Sequence, residues 1–366
     1  MLSVKASPEG LASCAHPIHG LGVSHSSLPD RISLATLGWS DFFADQLEPD
    51  EAHLARMRIA TVHRSRLTAE TENGPVRLTI SFDVNIPDYA VGDWVLADPQ
   101  TNTLVRRLDR KALLQRRTEG ARSSQLIAAN VDTLFIVTSC NADFNPARLE
   151  RYLALANEAG TNPVIVLTKA DTVADAQAYR LRAAALQRDL AVVALNAKAP
   201  EAAVALAAWC GAGQTVALVG SSGVGKSTLL NTLAAKEDEP QQLTGSIRED
   251  DAKGRHTTTA RSLHAIRGGG WVIDTPGMRT LHISDVTAGL DQLFAEITEL
   301  APHCRFRDCT HAHEPGCAVQ AAIAAGNLDP ARLDRWRKLH GENRDNTPVQ
   351  RGPRGNKVPQ SRPRKG

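Results

Sequence analysis

The chain has almost no excess charge of either sign: 42 Lys and Arg stand against 40 Asp and Glu, a formal net charge of +2 over 366 residues. Any surface for a polyanion must therefore be local. No apolar run approaches the ~20 residues needed to cross a bilayer, which argues against a membrane-spanning helix. Residues 1–30 lack the apolar core of a secretory leader and mix Pro, Gly, Ser and His, as expected of a disordered extension. Cysteines are few. Cys14, Cys140 and Cys210 are scattered while the other three cluster near the C-terminus, a pattern suited to a reducing cytoplasm rather than a disulfide framework. The length allows two or three domains, and no internal repeat is present.

What is present is a set of nucleotide-binding signals in an unusual order. Gly220-Ser221-Ser222-Gly223-Val224-Gly225-Lys226-Ser227-Thr228 fits the phosphate-loop pattern G-x-x-x-x-G-K-[ST]. A short apolar run, 214–219, precedes it and a helical stretch, 227–235, follows, the strand–loop–helix setting the motif needs. Backbone N–H groups and the helix N-terminus then cradle phosphates, Lys226 reaches the β- and γ-phosphates, and Ser227 is placed to ligate Mg²⁺. Downstream, Asp274-Thr275-Pro276-Gly277 reads as a γ-phosphate sensor. Asp274 would orient a Mg²⁺-bound water and Gly277 would offer its N–H to the γ-phosphate.

Base-reading elements should follow these, yet here they come first. Thr168-Lys169-Ala170-Asp171 is a variant of N-K-x-D at the end of the β-type run 162–167. The Asp171 carboxylate can accept two guanine N–H donors, which adenine does not offer, and the Lys169 stem can cover the base. Thr168 stands where Asn is usual and lacks its amide donor. Asn196-Ala197-Lys198, following a second apolar run, can offer a backbone N–H to the guanine carbonyl. This order describes a circularly permuted G domain, with GTP favoured over ATP.

Between Lys226 and Asp274, Gly254-Arg255-His256-Thr257-Thr258-Thr259 reads as the switch whose threonine completes the Mg²⁺ shell; Thr257 and Thr258 are the candidates. Met278 occupies the position where many GTPases place a water-orienting Gln, and a thioether cannot do that work. His256 can hold a water or relay a proton. The alternative is a group lent by a partner.

Two flanking regions complete the chain. Short β-type runs at 58–62, 76–82, 93–97 and 104–108 suggest a small barrel of the OB type, which binds oligonucleotides. Arg64, Arg66, Arg77, Arg106, Arg107, Arg110, Lys111, Arg116 and Arg117 would give it a basic surface. At the other end, Cys304-x₄-Cys309-x-His311-x₅-Cys317 supplies three thiolates and an imidazole, a closed set for one structural zinc. His303 and His313 are alternative nitrogen ligands. A basic helix is expected over 329–340, and the tail from Arg344 carries seven basic residues against one acidic.

A barrel, a permuted G domain with the Gly254 to Thr259 switch, and the Cys-x₄-Cys-x-His-x₅-Cys module together resemble the ribosome small-subunit-dependent GTPase A family (RsgA, also called YjeQ). The stretches 125–132, Asn141 to Phe144, Asp308 to His311 and Glu314 to Cys317 carry the same likeness, which covers about residues 31 to 340. The resemblance implies a cytoplasmic, monomeric GTPase acting late in maturation of the small ribosomal subunit, whose slow hydrolysis the subunit and its rRNA stimulate. The fold expected is α/β: a permuted P-loop G domain (118–283) between a lead-in with an OB-fold, RNA-binding barrel (31–117) and a zinc-binding, largely helical module (284–343). A disordered extension (1–30) and a basic tail (344–366) flank these. Rival readings are a permuted GTPase acting on the large subunit and a metabolic P-loop ATPase or kinase.

Overall fold

A computed structural model of the chain describes residues 32–117, 124–234, 261–275 and 283–347. The expected extension over 1–30 and the tail beyond Thr347 lie outside the described residues.

After a short helix, α1 (Asp41–Ala44), five strands form the first unit of structure: β1 (Ala55–His63), β2 (Arg66–Thr71), β3 (Gly74–Arg77), β4 (Trp94–Ala97) and β5 (Leu104–Arg107). β1 pairs antiparallel with both β2 and β4, β2 pairs with β3, and β4 pairs with β5. One parallel bridge, Thr79 to Thr103, closes the ring between the ends of β3 and β5. This is the five-stranded closure of an OB barrel. Alternation along β1 sends Met57 and Ile59 into the barrel, where they meet Leu67, Ala69, Val95 and Leu104.

The expected strand over 76–82 ends at Arg77. Leu78 still donates to the Leu67 carbonyl, but Thr79 donates to Asn102, so the chain leaves β2 there to close the barrel. β2 itself was not expected, because its two inward residues, Leu67 and Ala69, alternate with polar ones rather than forming an apolar run.

A ribbon of β6 (Leu113–Arg116) and β7 (Gln125–Ala129) leads into the second sheet. Its elements are β8 (Thr133–Ser139), α2 (Pro146–Ala159), β9 (Asn162–Thr168), α3 (Ala176–Ala184), β10 (Ala191–Ala194), α4 (Glu201–Leu206), β11 (Thr215–Val219), α5 (Lys226–Ala234), β12 (Ser262–Ala265) and β13 (Trp271–Asp274). The strand order is β10-β9-β8-β11-β13-β12, parallel except for the β12–β13 pair. The chain walks outward from β8 to β10, then returns to lay β11 beside β8 and proceeds the other way. The reversal places a topological switch point between the carboxyl ends of β8 and β11, where open α/β sheets bind ligands.

The barrel and this sheet are joined through β12, at the strand end where Asp274 closes β13. β1 pairs with β12 at Thr61 and Ser262. Arg58, on the outward face of β1 and 1% exposed, donates to the Leu37 carbonyl at 2.6 Å and the Thr215 hydroxyl at 2.7 Å. Burial lowers its pKa to about 10, with Asp132 pulling the other way, so the guanidinium stays charged at neutral pH.

The C-terminal part is helical: α6 (Thr287–Leu293), α7 (Ala295–Leu300), α8 (Ala318–Ala324) and α9 (Pro330–Asn346). α6 packs on α2 so closely that a Cβ at Gly289 would lie 2.1 Å from the Ala154 carbonyl oxygen. α9 begins with an Asp329 cap and Pro330 in its first turn and runs six residues past the expected His340. Its end is docked, since the Asn346 amide donates to the Ile283 carbonyl at 3.0 Å. The first residues of the expected tail are therefore helix.

Candidate nucleotide-binding site and metal centre

The phosphate loop leaves β11 at the switch point. Gly220 has φ 139°, and a Cβ there would lie 2.1 Å from the Val137 carbonyl oxygen of β8, so only glycine lets the two strand ends approach this closely. Val224 is buried, Ser222 and Gly223 are exposed, and Lys226 opens α5. The N-terminal turn of α5 and the loop amides have the arrangement that can cradle an anion. The Lys226 ammonium donates to the Gly220 carbonyl at 2.8 Å and the Ser221 carbonyl at 2.5 Å, which holds it over the loop that phosphates would occupy. Ser227 and Thr228 follow in the first turn of α5. Asp274 ends β13, the strand beside β11, and the next residue, Thr275, is buried and donates to the Leu218 carbonyl.

The two segments expected to read the base meet at the neighbouring strand ends. Lys169 takes a left-handed conformation, φ 56°, that turns the chain out of β9 and presents Ala170 and Asp171. The Asn196 amide donates to Asp171 Oδ2 at 3.1 Å, and Asn196 Oδ1 accepts from the Lys198 backbone at 3.0 Å. The Ala197 carbonyl accepts from Thr232 of α5 at 2.7 Å, which ties this loop to the helix that follows the glycine-rich loop. Thr168 is fully buried. Its hydroxyl donates to the Val224 carbonyl at 2.6 Å, with the Thr138 carbonyl at 3.2 Å. The residue that replaces the usual Asn thus props the phosphate loop from below. A short β-branched hydroxyl suffices for that contact.

Cys304, Cys309, His311 and Cys317 bring their ligand atoms within 4.8 Å of one another. A tetrahedral zinc with ordinary bond lengths places sulfur atoms about 3.8 Å apart and sulfur about 3.5 Å from nitrogen. The cluster has Cys304 and Cys317 sulfurs 3.8 Å apart, and each lies 3.5 Å from His311 Nδ1. The donor set therefore fits one such ion. His303 and His313 lie outside the cluster. Burial lowers the His311 pKa against the pull of Glu314, favouring the neutral imidazole that a metal requires. Glu314 accepts from the backbones of Thr310 and Ala312, both at 2.9 Å, and pins the turn that carries His311. Trp336 of α9 packs edge-on against the His311 ring.

The family model for RsgA GTPase matches residues 107–284. The small ribosomal subunit biogenesis GTPase RsgA of Mesorhizobium japonicum is 70% identical over 330 residues, covering 90% of this chain and 95% of that protein.

The chain belongs to the RsgA GTPase family.

The crystal structure of YjeQ from Thermotoga maritima superposes with a TM-score of 0.58 at 25% identity, covering 79% of this chain and 98% of that one. YloQ, described as a circularly permuted GTPase, gives 0.57 at 22% identity over 83% and 100% of the two chains, a likeness of fold. The permuted order read from the RsgA-type motifs is thus the order of the fold.

The expected switch residues His256, Thr257 and Thr258, together with Gly277 and Met278, lie outside the described residues. Six of the nine basic residues of the barrel and its exit fall into two groups. Arg106 is bound to Glu51, Arg110 to Asp93, and Arg117 lies 3.5 Å from Asp285. Arg64, Arg66 and Arg77 are exposed at the β1–β2 turn and on β2 and β3. Across the β2–β3 pair Thr68 faces Arg77, and Arg66 lies two residues from Thr68 on the same side.

Sequence reasoning did not find two residues of α2. Arg148 donates to the Ser221 hydroxyl of the phosphate loop. Glu150, fully buried, accepts from Arg332 and Arg335 of α9, each at 2.8 Å. The spacing of neither residue signals such partners, which lie 73, 182 and 185 positions away.

Proposed function

We propose that this protein hydrolyses GTP during biogenesis of the small ribosomal subunit, and that the subunit and its rRNA stimulate a slow intrinsic reaction. The observation that carries this reading is the 70% identity, across nearly the whole chain, to a protein named for that role. The juxtaposed base-reading and phosphate-binding loops support it. In this reading Thr168 to Asp171, Asn196 and Ala197 hold guanine, and Gly220 to Thr228 hold the phosphates.

Mg²⁺ bound with GTP would be held by Ser227, Asp274 and Thr257 or Thr258, and would offset charge on the phosphates. Lys226 would exchange the Gly220 and Ser221 carbonyls for phosphate oxygens. Gly277 would donate its N–H to the γ-phosphate, while His256 would hold or relay for the attacking water in place of the missing Gln. The Cys304, Cys309, His311 and Cys317 set would hold one zinc in a structural role, as a closed four-ligand site leaves no position for substrate.

In this reading the barrel (31–117), the permuted G domain (118–283) and the helical module (284–343) divide the labour. The barrel binds rRNA through the exposed arginines of β2 and β3, the face OB folds use for oligonucleotides. The protein works as a monomer in the cytoplasm. Among the described residues no helix is long and apolar enough to cross a membrane.

A nucleotide titration and a co-sedimentation test the reading. GDP should bind far more tightly than ADP, and equal affinity would favour a metabolic P-loop enzyme instead. Co-sedimentation with separated subunits, in a non-hydrolysable GTP analogue, should recover the protein with the small subunit; recovery with the large subunit would overturn the assignment.

A further inference from the structure

Arg148 occupies an unfavourable place for a cation. It lies in the first turn of α2, whose N-terminus is capped by Asn145 and followed by Pro146, and a helix N-terminus disfavours positive charge. Its side chain is half-buried, and no carboxylate forms an ion pair with it among the described residues. The hydrogen bond that holds its guanidinium goes to the Ser221 hydroxyl, inside the phosphate loop.

Ser221 is therefore gripped twice. Lys226 takes its carbonyl and Arg148 takes its hydroxyl. When phosphate draws the Lys226 ammonium away, the carbonyl contact is released and the hydroxyl contact remains. The backbone of α2 is itself fixed at the other side, where Glu150 and Arg151 bind Arg332, Arg335 and Glu342 of α9. A rigid helix thus supplies the second grip on the loop.

We infer that Arg148 is a positioning residue for GTP hydrolysis, fixing Ser221 so that the phosphate-loop amides keep their aim as charge shifts onto the β–γ bridge. The inference rests on the proposed GTPase reading. Preorganised donors act only where they are held, and a misplacement of about 1 Å can cost about 100-fold in rate.

The test uses the full chain. Single-turnover GTP hydrolysis is measured for wild type, Arg148→Ala, Arg148→Lys, Ser221→Ala and the double variant, beside GDP affinity and thermal unfolding. Arg148→Ala is expected to slow hydrolysis about 10- to 100-fold while GDP affinity stays within about threefold. Arg148→Lys should recover part of the rate, and adding Ser221→Ala to Arg148→Ala should cost little more. Hydrolysis by Arg148→Ala within twofold of wild type would overturn the assignment. So would a parallel fall in GDP affinity and melting temperature, which marks a prop for the fold. A wild-type protein that binds GDP no better than ADP and does not hydrolyse GTP would instead remove the function on which the assignment rests.

Discussion

Replacing Glu150 by Gln removes a buried negative charge while keeping its shape. One carboxylate oxygen accepts from Arg332 and Arg335 at 2.8 Å, and the other is buried with no partner. Breaking a buried pair costs about 3–5 kcal/mol when the remaining charge is stranded. Here the stranding is partial. Arg332 keeps Glu296 at 2.7 Å and the Leu293 carbonyl at 2.7 Å, and Arg335 is 29% exposed and can turn to water. The amide oxygen can also still accept. A loss of about 2 kcal/mol follows, equivalent to about 30-fold in a local opening equilibrium.

Hydrogen exchange reads that opening directly, because amides report the free energy of the unit that unfolds. In Glu150→Gln, amides of α9 and α6 should exchange about 10- to 30-fold faster, while those of β1 and β4 in the barrel keep their wild-type rates. Unchanged exchange in α9 would refute the reasoning that this network docks the helical module. A uniform acceleration across barrel and module would refute its local character.

Other substitutions probe the remaining contacts. Asp171→Asn should weaken GDP binding by about 1–3 kcal/mol, the scale of a lost charge-assisted hydrogen bond, as read by fluorescence titration. Cys309→Ser should abolish the content of about one zinc found by metal analysis of the wild type and leave GTP binding largely intact. Arg58→Met strands the Leu37 carbonyl and should cost about 2–3 kcal/mol, seen as a fall in melting temperature. His256→Ala should keep GTP affinity but lose well over tenfold of the stimulated rate, since general acid–base help is worth ~10²–10⁴. Full stimulation of that variant would assign the water-orienting group to the partner.

The parts legible in sequence were those written in contiguous motifs. The phosphate loop needs its glycine beside β8, and the Cys₃His segment carries all four ligands within fourteen residues, so spacing alone exposed both. The permutation was legible because motif order is a property of the chain. Contacts made by distant single residues were not. Nothing near Arg58 points to Thr215, 157 positions away, and nothing near Arg148 points to the phosphate loop. Thr168 could be read by type but not by role, as its burial beneath Val224 depends on how β9 lies beside β8. The run 76–82 has the composition of a strand, yet barrel closure bends it after Arg77 and leaves Phe82 exposed.

A GTPase that answers to the small ribosomal subunit is revealed by GTP turnover measured alone, with purified small subunits and with purified large subunits. Slow hydrolysis should rise manyfold with small subunits and not with large ones. A rate indifferent to small subunits, or raised equally by both, would contradict it.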